Sequence, residues 1–158
     1  MRVEESTSID KVYFRAAWQA MLRETSRLQD PVEPMSRTVQ HGYNLFNAYL
    51  EGNALGMCQI VKEEHTNEPV GFALWGDDLG DTPGLDPYCT IWGLYITPEH
   101  RGEKLSGYVA DEARKAMIGL DYEGAQWTVN SKNDPCLAAG KKFATGKTIM
   151  SMFYRTDF

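Results

Sequence analysis

The sequence predicts an α/β fold, a mixed β-sheet covered by helices, with the element order (β)ααβββαβαβ. Three observations carry this. Short apolar runs rich in β-branched and aromatic residues recur between turn signals, the clearest over residues 90–96, Thr-Ile-Trp-Gly-Leu-Tyr-Ile. Helical periodicity appears twice near the N-terminus and again directly after that run. Three strands in succession imply an antiparallel meander, and helices between the later strands imply crossovers, so the sheet has to be mixed.

Each element has its own justification. Residues before position 7 form a short first strand. Thr7-Ser8-Ile9-Asp10 reads as a capping box with Asp10 in the place of the usual Glu or Gln. A helix follows to about residue 28, with Phe14, Trp18, Met21 and Leu22 on one face. Asp30-Pro31-Val32-Glu33-Pro34 breaks it, because each proline removes a donor and restricts its predecessor. A second helix spans residues 35–51, with Met35, Val39, Phe46, Tyr49 and Leu50 as its stripe. Residues 54–63 and 69–76 read as strands joined by a hairpin connection at His65-Thr66-Asn67-Glu68. An acidic, glycine-rich loop over residues 77–87 leads into the strand at 90–96, which Pro98 stops. From Leu105 the period is helical: Leu105, Tyr108, Val109, Ala113, Ala116, Met117 and Leu120 share a face, and Asp111 and Lys115 are spaced to pair at i, i+4. A strand at 125–129, a helix holding Leu137, Ala138 and Phe143, and a strand at 147–155 complete the chain.

The 158 residues suit one domain, residues 1–158, with a substantial core. No window approaches 18 apolar residues, and the start Met-Arg-Val-Glu-Glu-Ser lacks an apolar signal region, so a cytoplasmic protein is expected. Cys58, Cys89 and Cys136 are odd in number and widely spaced, which suits reduced core thiols, and no His or Cys spacing points to a metal. A net charge of −6 argues against nucleic acid as a general partner.

Leu94-Tyr95-Ile96-Thr97-Pro98-Glu99-His100-Arg101-Gly102 resembles the strand end and V-x-P-x-x-R-G turn of the GNAT superfamily of N-acetyltransferases. The likeness continues in Val129-Asn130-Ser131-Lys132-Asn133-Asp134-Pro135-Cys136, similar to that family's strand followed by N-x-x-A. It covers nearly the whole chain as element order and about 50 residues as motif. It implies a GNAT-like fold with a shortened C-terminal hairpin and acetyl-coenzyme A (acetyl-CoA) as co-substrate. It also implies direct attack by a primary amine of a small molecule or peptide.

The chemistry of coenzyme A explains why such parts are needed. A pyrophosphate requires several N–H donors converging at a helix start, and the turn Arg101, Gly102, Glu103, Lys104, Leu105, Ser106 can supply them. The resemblance implies that the fourth and fifth strands splay, leaving backbone groups at Leu94, Tyr95 and Ile96 to pair with the pantetheine arm as a peptide pairs with a sheet edge. Asn133 would hold the arm from the other side. One backbone N–H near Tyr95 or Ile96 would polarise the acetyl carbonyl.

The sequence departs from the family pattern in the turn and at the acid and base positions. Lys104 and Ser106 stand where the family turn carries glycines. The position of the frequent tyrosine acid is Gly140, and the two frequent glutamate positions hold Thr128 and Thr90. Tyr95 and Tyr154 are then the phenols available to protonate the leaving thiolate, with Thr90 or Thr128 holding a relay water. These departures keep open a non-catalytic acyl-CoA-binding or protein-interaction module on the same fold, and an acyltransferase with an unusual acceptor such as a nucleobase.

Other features read more plainly. Residues 140–148 miss a phosphate-binding P-loop by one residue, with helix and strand in reversed order. His41 and His65 read as surface residues, and His100 lies in the candidate turn. Trp75 and Trp92, on neighbouring inner strands, are candidates for acceptor contact. Asp77, Asp78, Asp81 and Asp86 read as a solvated acidic loop, or with Asp30 and Glu33 as a receiver for a cationic amine. A second copy covering the last strand's edge would make a homodimer.

Overall fold

In a computed structural model, which describes residues 1–26, 35–102, 104–128 and 153–158, the chain forms a six-stranded sheet with helices on both faces. The elements are β1 (Arg2–Glu5), a 3-10 turn (Ser8–Asp10), α1 (Lys11–Ser26), α2 (Met35–Glu51), β2 (Gly56–Lys62), β3 (Pro69–Gly76) and β4 (Tyr88–Ile96). A second 3-10 turn (Pro98–His100), α3 (Leu105–Gly119), β5 (Gly124–Thr128) and β6 (Phe153–Asp157) follow. The strands lie in the order β1-β2-β3-β4-β5-β6. Only the β4–β5 neighbours are parallel, with α3 as their crossover.

Alternation along the inner strands sends side chains to two cores. Phe72 and Leu74 of β3 face α1 and α2, meeting Phe14, Trp18, Phe46 and Tyr49. Ala73 and Trp75 face α3, meeting Val109, Ala113 and Met117. Phe14 is fully buried in an aromatic stack, 4.5 Å from Phe46 and 5.1 Å from Phe72 between ring centroids. On α3, Leu105, Val109, Ala113 and Met117 recur every fourth residue, as an amphipathic helix on a sheet requires, whereas Tyr108 is partly exposed.

The first helix begins as read. The Thr7 N–H donates to Asp10 Oδ2 at 2.8 Å, and the Thr7 hydroxyl donates to the same oxygen at 3.1 Å. Lys62 of β2 adds an ion pair to Asp10 Oδ1 at 3.2 Å. Burial pushes the Asp10 carboxyl up, but the Thr7 donors and the Lys62 ammonium outweigh it and hold it below the usual carboxylate value.

Several expectations are corrected. β2 starts at Gly56 rather than residue 54; Gly56 has φ +155°, and a Cβ on it would meet the Tyr49 ring at 2.6 Å, which favours glycine at this strand start. β4 starts two residues earlier, at Tyr88. Lys115 pairs with Glu112 at 2.6 Å, one turn at i, i+3, rather than with Asp111. Asp77 is not solvated but buried, and its part is given below. The helix expected after residue 135 and the strand over 147–152 lie outside the described residues.

Candidate active site

The sheet opens in the middle of β4. Parallel pairing with β5 covers Tyr88↔Gly124, Cys89↔Ala125 and Thr90↔Gln126, and the described register goes no further. β4 nevertheless continues to Ile96 and β5 to Thr128. The expected splay is therefore present, and the β5-facing backbone edge at Leu94, Tyr95 and Ile96 is free of β5 pairing in that register. On its other edge β4 pairs with β3, where Trp75↔Ile91 is followed by Leu74↔Gly93. Trp92 is the extra residue of a β-bulge, which bends the strand and re-aims a side chain. Gly93 lets α1 approach the bend closely: a Cβ there would meet Trp18 Cζ3 and Met21 Cε at 2.9 Å.

Beyond β4 the chain turns into α3. The Thr97 N–H donates to the Val70 carbonyl at 2.9 Å, ending the strand, and the N–H groups of His100 and Arg101 close the 3-10 turn on Thr97 and Pro98. Gly102 has φ +93°, and Lys104 caps α3 in the left-handed region at φ +59°. A lysine tolerates that conformation at a cost a glycine would not incur. The Lys104 side chain makes no capping hydrogen bond, and the first-turn N–H groups of Leu105, Ser106 and Gly107 lack an intrahelical partner. Lys104, Leu105 and Tyr108, with Met1, line a depression of about 310 Å³ at this helix start. Unpaired N–H groups at a positive helix end and a strand edge free of β5 pairing are donor types that a pyrophosphate and an amide arm require.

Arg101 is committed to the protein. Its Nε donates to the Ile96 carbonyl at 2.8 Å, and its Nη2 donates to both carboxylate oxygens of Glu24 on α1, at 2.8 and 3.0 Å. Its guanidinium lies 5.4 Å from the centroid of the Tyr95 ring, and the Tyr95 hydroxyl lies 3.4 Å from Glu24 Oε1. Burial pushes the Tyr95 phenol up, and the Glu24 carboxylate adds to this against Arg101. The phenol therefore stays protonated at neutral pH. The turn is in this way tied to the last turns of α1.

A second network fixes the bulge. The Trp92 indole N–H donates to the Tyr49 hydroxyl at 3.0 Å, and that hydroxyl donates to the Asp77 carbonyl at 2.6 Å. The Asp77 carboxylate accepts from the Tyr122 hydroxyl at 2.7 Å and from the Gly84 N–H at 2.8 Å. Asp77 thus holds the acidic loop against both helical layers. His41 of α2 lies edge-on to Trp92, 5.3 Å between centroids at 79°, with its Nε2 3.4 Å from Asp78 Oδ1. Apart from the local Gly84–Asp77 bond, the hydrogen-bonded partners of this network lie 28 to 45 residues apart in the chain, so no local motif announces them.

The predicted site residues fall as follows. Leu94, Tyr95 and Ile96 lie on β4 after the bulge; Leu94 is exposed, whereas Tyr95 faces α1 and Ile96 faces α3. Arg101, Gly102, Lys104, Leu105 and Ser106 form the turn and helix start. Glu103 and Asn133 lie outside the described residues, as does Gly140. On β6 the backbone of Tyr154 pairs with Trp127 of β5, next to the Thr128↔Phe153 pair. Thr90 lies at the last β4–β5 pair, opposite Gln126. Trp75 is fully buried and donates to Gln59 Oε1 at 3.0 Å, so it is core rather than acceptor surface. Cys58 and Cys89 are buried and free; burial pushes the Cys89 thiol up to about 12, which makes it a poor nucleophile. Among the described residues no group of His, Cys, Asp or Glu could hold a metal ion.

Comparison with known proteins agrees with this geometry. No curated protein sequence gives a significant match. Solved structures do match over nearly the whole chain. A PaiA N-acetyltransferase from Thermoplasma acidophilum in complex with coenzyme A has a TM-score of 0.74 at 13% identity, covering 99% of this chain and 98% of that one. A ribosomal-protein-alanine N-acetyltransferase from Brucella melitensis has a TM-score of 0.70 at 12% identity, covering 100% of both chains. The acetyltransferase yncA of Salmonella typhimurium, described as putative and solved with acetyl-CoA, has a TM-score of 0.69 at 13% identity, covering 99% of this chain and 93% of that one. At such identities these likenesses establish the fold. The profile of the Acetyltransferase (GNAT) family matches residues 13–143, which contain both helical layers, the splayed strands and the turn, and the chain belongs to that family of acetyltransferases.

Proposed function

We propose that the protein transfers the acetyl group of acetyl-CoA to a primary amine by direct attack. The observation that carries this is the junction of the splayed β4 edge with the uncapped start of α3, inside a chain of the acetyltransferase family. In this reading Leu105, Ser106 and the glycine-bearing turn hold the pyrophosphate through N–H groups, with Lys104 adding charge. Leu94, Tyr95 and Ile96 pair with the pantetheine amides. Glu103 and Asn133 complete the cofactor site. Arg101 serves it by fixing the turn to α1.

Beyond the Thr90↔Gln126 pair the β5-facing edge of β4 is outside the β5 register, so one backbone N–H near Tyr95 or Ile96 can polarise the acetyl carbonyl. Holding amine and thioester in attack geometry supplies much of the acceleration. Tyr95 and Tyr154 are the phenols assigned to the leaving thiolate. The acceptor is a small-molecule or peptide amine, and the protein works in the cytoplasm. A second copy pairs along a sheet edge, making a homodimer.

Titration calorimetry with acetyl-CoA and with desulfo-coenzyme A tests the cofactor site; binding of neither at high micromolar concentration would remove it. Given binding, Tyr95→Phe and Tyr154→Phe decide the proton donor. The true donor loses roughly 10²-fold or more in kcat with an unchanged cofactor Kd. Equal kcat in both variants and wild type would remove both assignments. A chain that binds the cofactor and transfers nothing is the non-catalytic module, the reading that Gly140, Thr90 and Thr128 favour.

A further inference from the structure

Direct transfer needs a neutral amine, and a primary amine arrives as an ammonium ion. Some group must take its proton. Thr90 and Thr128 cannot, and no carboxylate is available on β4 or β5: Tyr88–Ile96 and Gly124–Thr128 include no Asp or Glu. The base must come from another element that reaches the bulge.

We propose that His41, paired with Asp78 beside the β4 bulge, is the catalytic base that deprotonates the acceptor ammonium. This rests on the acetyltransferase reading above and deepens it. Three observations support it. First, His41 lies against Trp92, the residue that the bulge sets apart from the β3–β4 register. Second, Trp92 is itself immobilised by its indole bond to Tyr49, so the imidazole rests on a fixed surface rather than a swinging one. Third, the His41 and Asp78 side chains are 39% and 48% exposed, so a solvent-borne amine can reach them.

Asp78 is fixed in turn, because its Oδ1 accepts from the Leu79 N–H at 2.8 Å. That oxygen faces Nε2 and favours the tautomer with the proton there, which leaves the lone pair on Nδ1 as the acceptor. Among the described residues, three groups face the imidazole or lie behind what covers it. Asp78 faces it from the segment after β3. Trp92 covers it from β4, with the Tyr49 hydroxyl and Asp77 behind the indole. The adjoining contact of α2 with α1 is uncharged, Gly42 on the Trp18 ring. Asp78 is a positioning residue: it orients the ring and stabilises the imidazolium that forms.

The proton count closes. His41 takes one proton from the ammonium and passes it to solvent. The neutral nitrogen forms the C–N bond to the acetyl carbon as the C–S bond breaks. The sulfur leaves with its electron pair and is protonated, while the amide nitrogen sheds its second excess proton. One proton is released per acetyl transferred.

The test is the pH profile of kcat/KM, read by thiol release with the best amine of a panel, for wild type, His41→Gln, His41→Ala and Asp78→Asn. Acetyl-CoA affinity and thermal melting are measured on the same samples. The expected result is a loss of about 10²-fold in kcat/KM at pH 7 for both His41 variants, with cofactor Kd and melting unchanged. Added imidazole restores activity to His41→Ala, and Asp78→Asn lowers kcat/KM by less than either His41 variant does. An active wild type with an unaltered profile in His41→Gln, or no imidazole rescue of His41→Ala, overturns the proposal and leaves the acetyltransferase reading intact. A wild type inactive with every amine overturns both.

Discussion

Glu24→Gln separates two ways in which Arg101 can serve the cofactor. The guanidinium is 45% exposed and its carboxylate partner 41%, so the ion pair belongs to the exposed class, worth roughly 0.2–1 kcal/mol. The Nε bond to the Ile96 carbonyl is charge-assisted and partly buried, adding about 1.5–3 kcal/mol. Glu24→Gln loses only the first contribution, and Arg101→Met loses both. At roughly 2–4 °C per kcal/mol for a chain of this size, melting falls by about 0.4–4 °C in Glu24→Gln and about 3–16 °C in Arg101→Met. Scanning calorimetry measures this. For the cofactor, the turn's N–H groups carry the phosphate while the guanidinium stays on α1. Acetyl-CoA affinity is then expected to stay within about threefold in Glu24→Gln and to weaken several-fold in Arg101→Met, where the turn loosens. A guanidinium that touched phosphate directly would be released by Glu24→Gln, and a charge-assisted bond of about 1.5–3 kcal/mol would tighten binding tenfold or more. Such tightening, or an unchanged affinity in Arg101→Met, would refute the reasoning.

Further predictions concern the core, the helix cap and the cofactor arm. Gly42→Ala gains about 1 kcal/mol of helix propensity but places a Cβ 2.1 Å from Trp18 Cε2 in a packed aromatic layer. The clash wins, and urea unfolding is expected to show a net loss of about 1–3 kcal/mol; a more stable variant would contradict this. Asp10→Asn removes a buried, hydrogen-bonded carboxylate, costing about 1–3 kcal/mol at pH 7. The Asp10 contribution is present above the unfolded carboxyl value and is lost as pH falls through the lowered folded one. The gap between wild type and variant should therefore narrow from pH 7 to pH 3, and an equal gap at both would be inconsistent with it. Asn133→Ala is expected to weaken acetyl-CoA binding several-fold with no change in melting temperature, and an unchanged Kd would remove Asn133 from the cofactor site.

What was legible in the chain follows from how local each signal is. The prolines at 31 and 34 frame the start of α2, Pro69 opens β3, and Leu105 begins a strong helical stripe; those boundaries stand where the sequence puts them. The mixed sheet follows from element order alone, and the splay from the resemblance. The bulge at Trp92 was not legible, because it is a property of register between two strands and leaves no mark in β4 itself. The Glu24–Arg101 tie joins residues 77 positions apart, and the Tyr122–Asp77 bond joins residues 45 apart. Asp77 looked like its acidic neighbours; only the packing of Tyr122 and Tyr49 against it distinguishes a buried anchor from a solvated side chain. His41 offered no metal spacing and read as surface, since its partner Asp78 comes from a loop two strands later.

The central claim is that the splayed β4 edge and the α3 start present acetyl-CoA to an amine. Amine-dependent release of coenzyme A thiol from acetyl-CoA, with mass detection of the acetylated amine, tests it most directly. The predicted result is saturable release with at least one primary amine, one acetylated product per thiol, and little release when amine is omitted. Tight binding of acetyl-CoA with no amine-dependent release across a broad panel would contradict it and leave a cofactor-binding module.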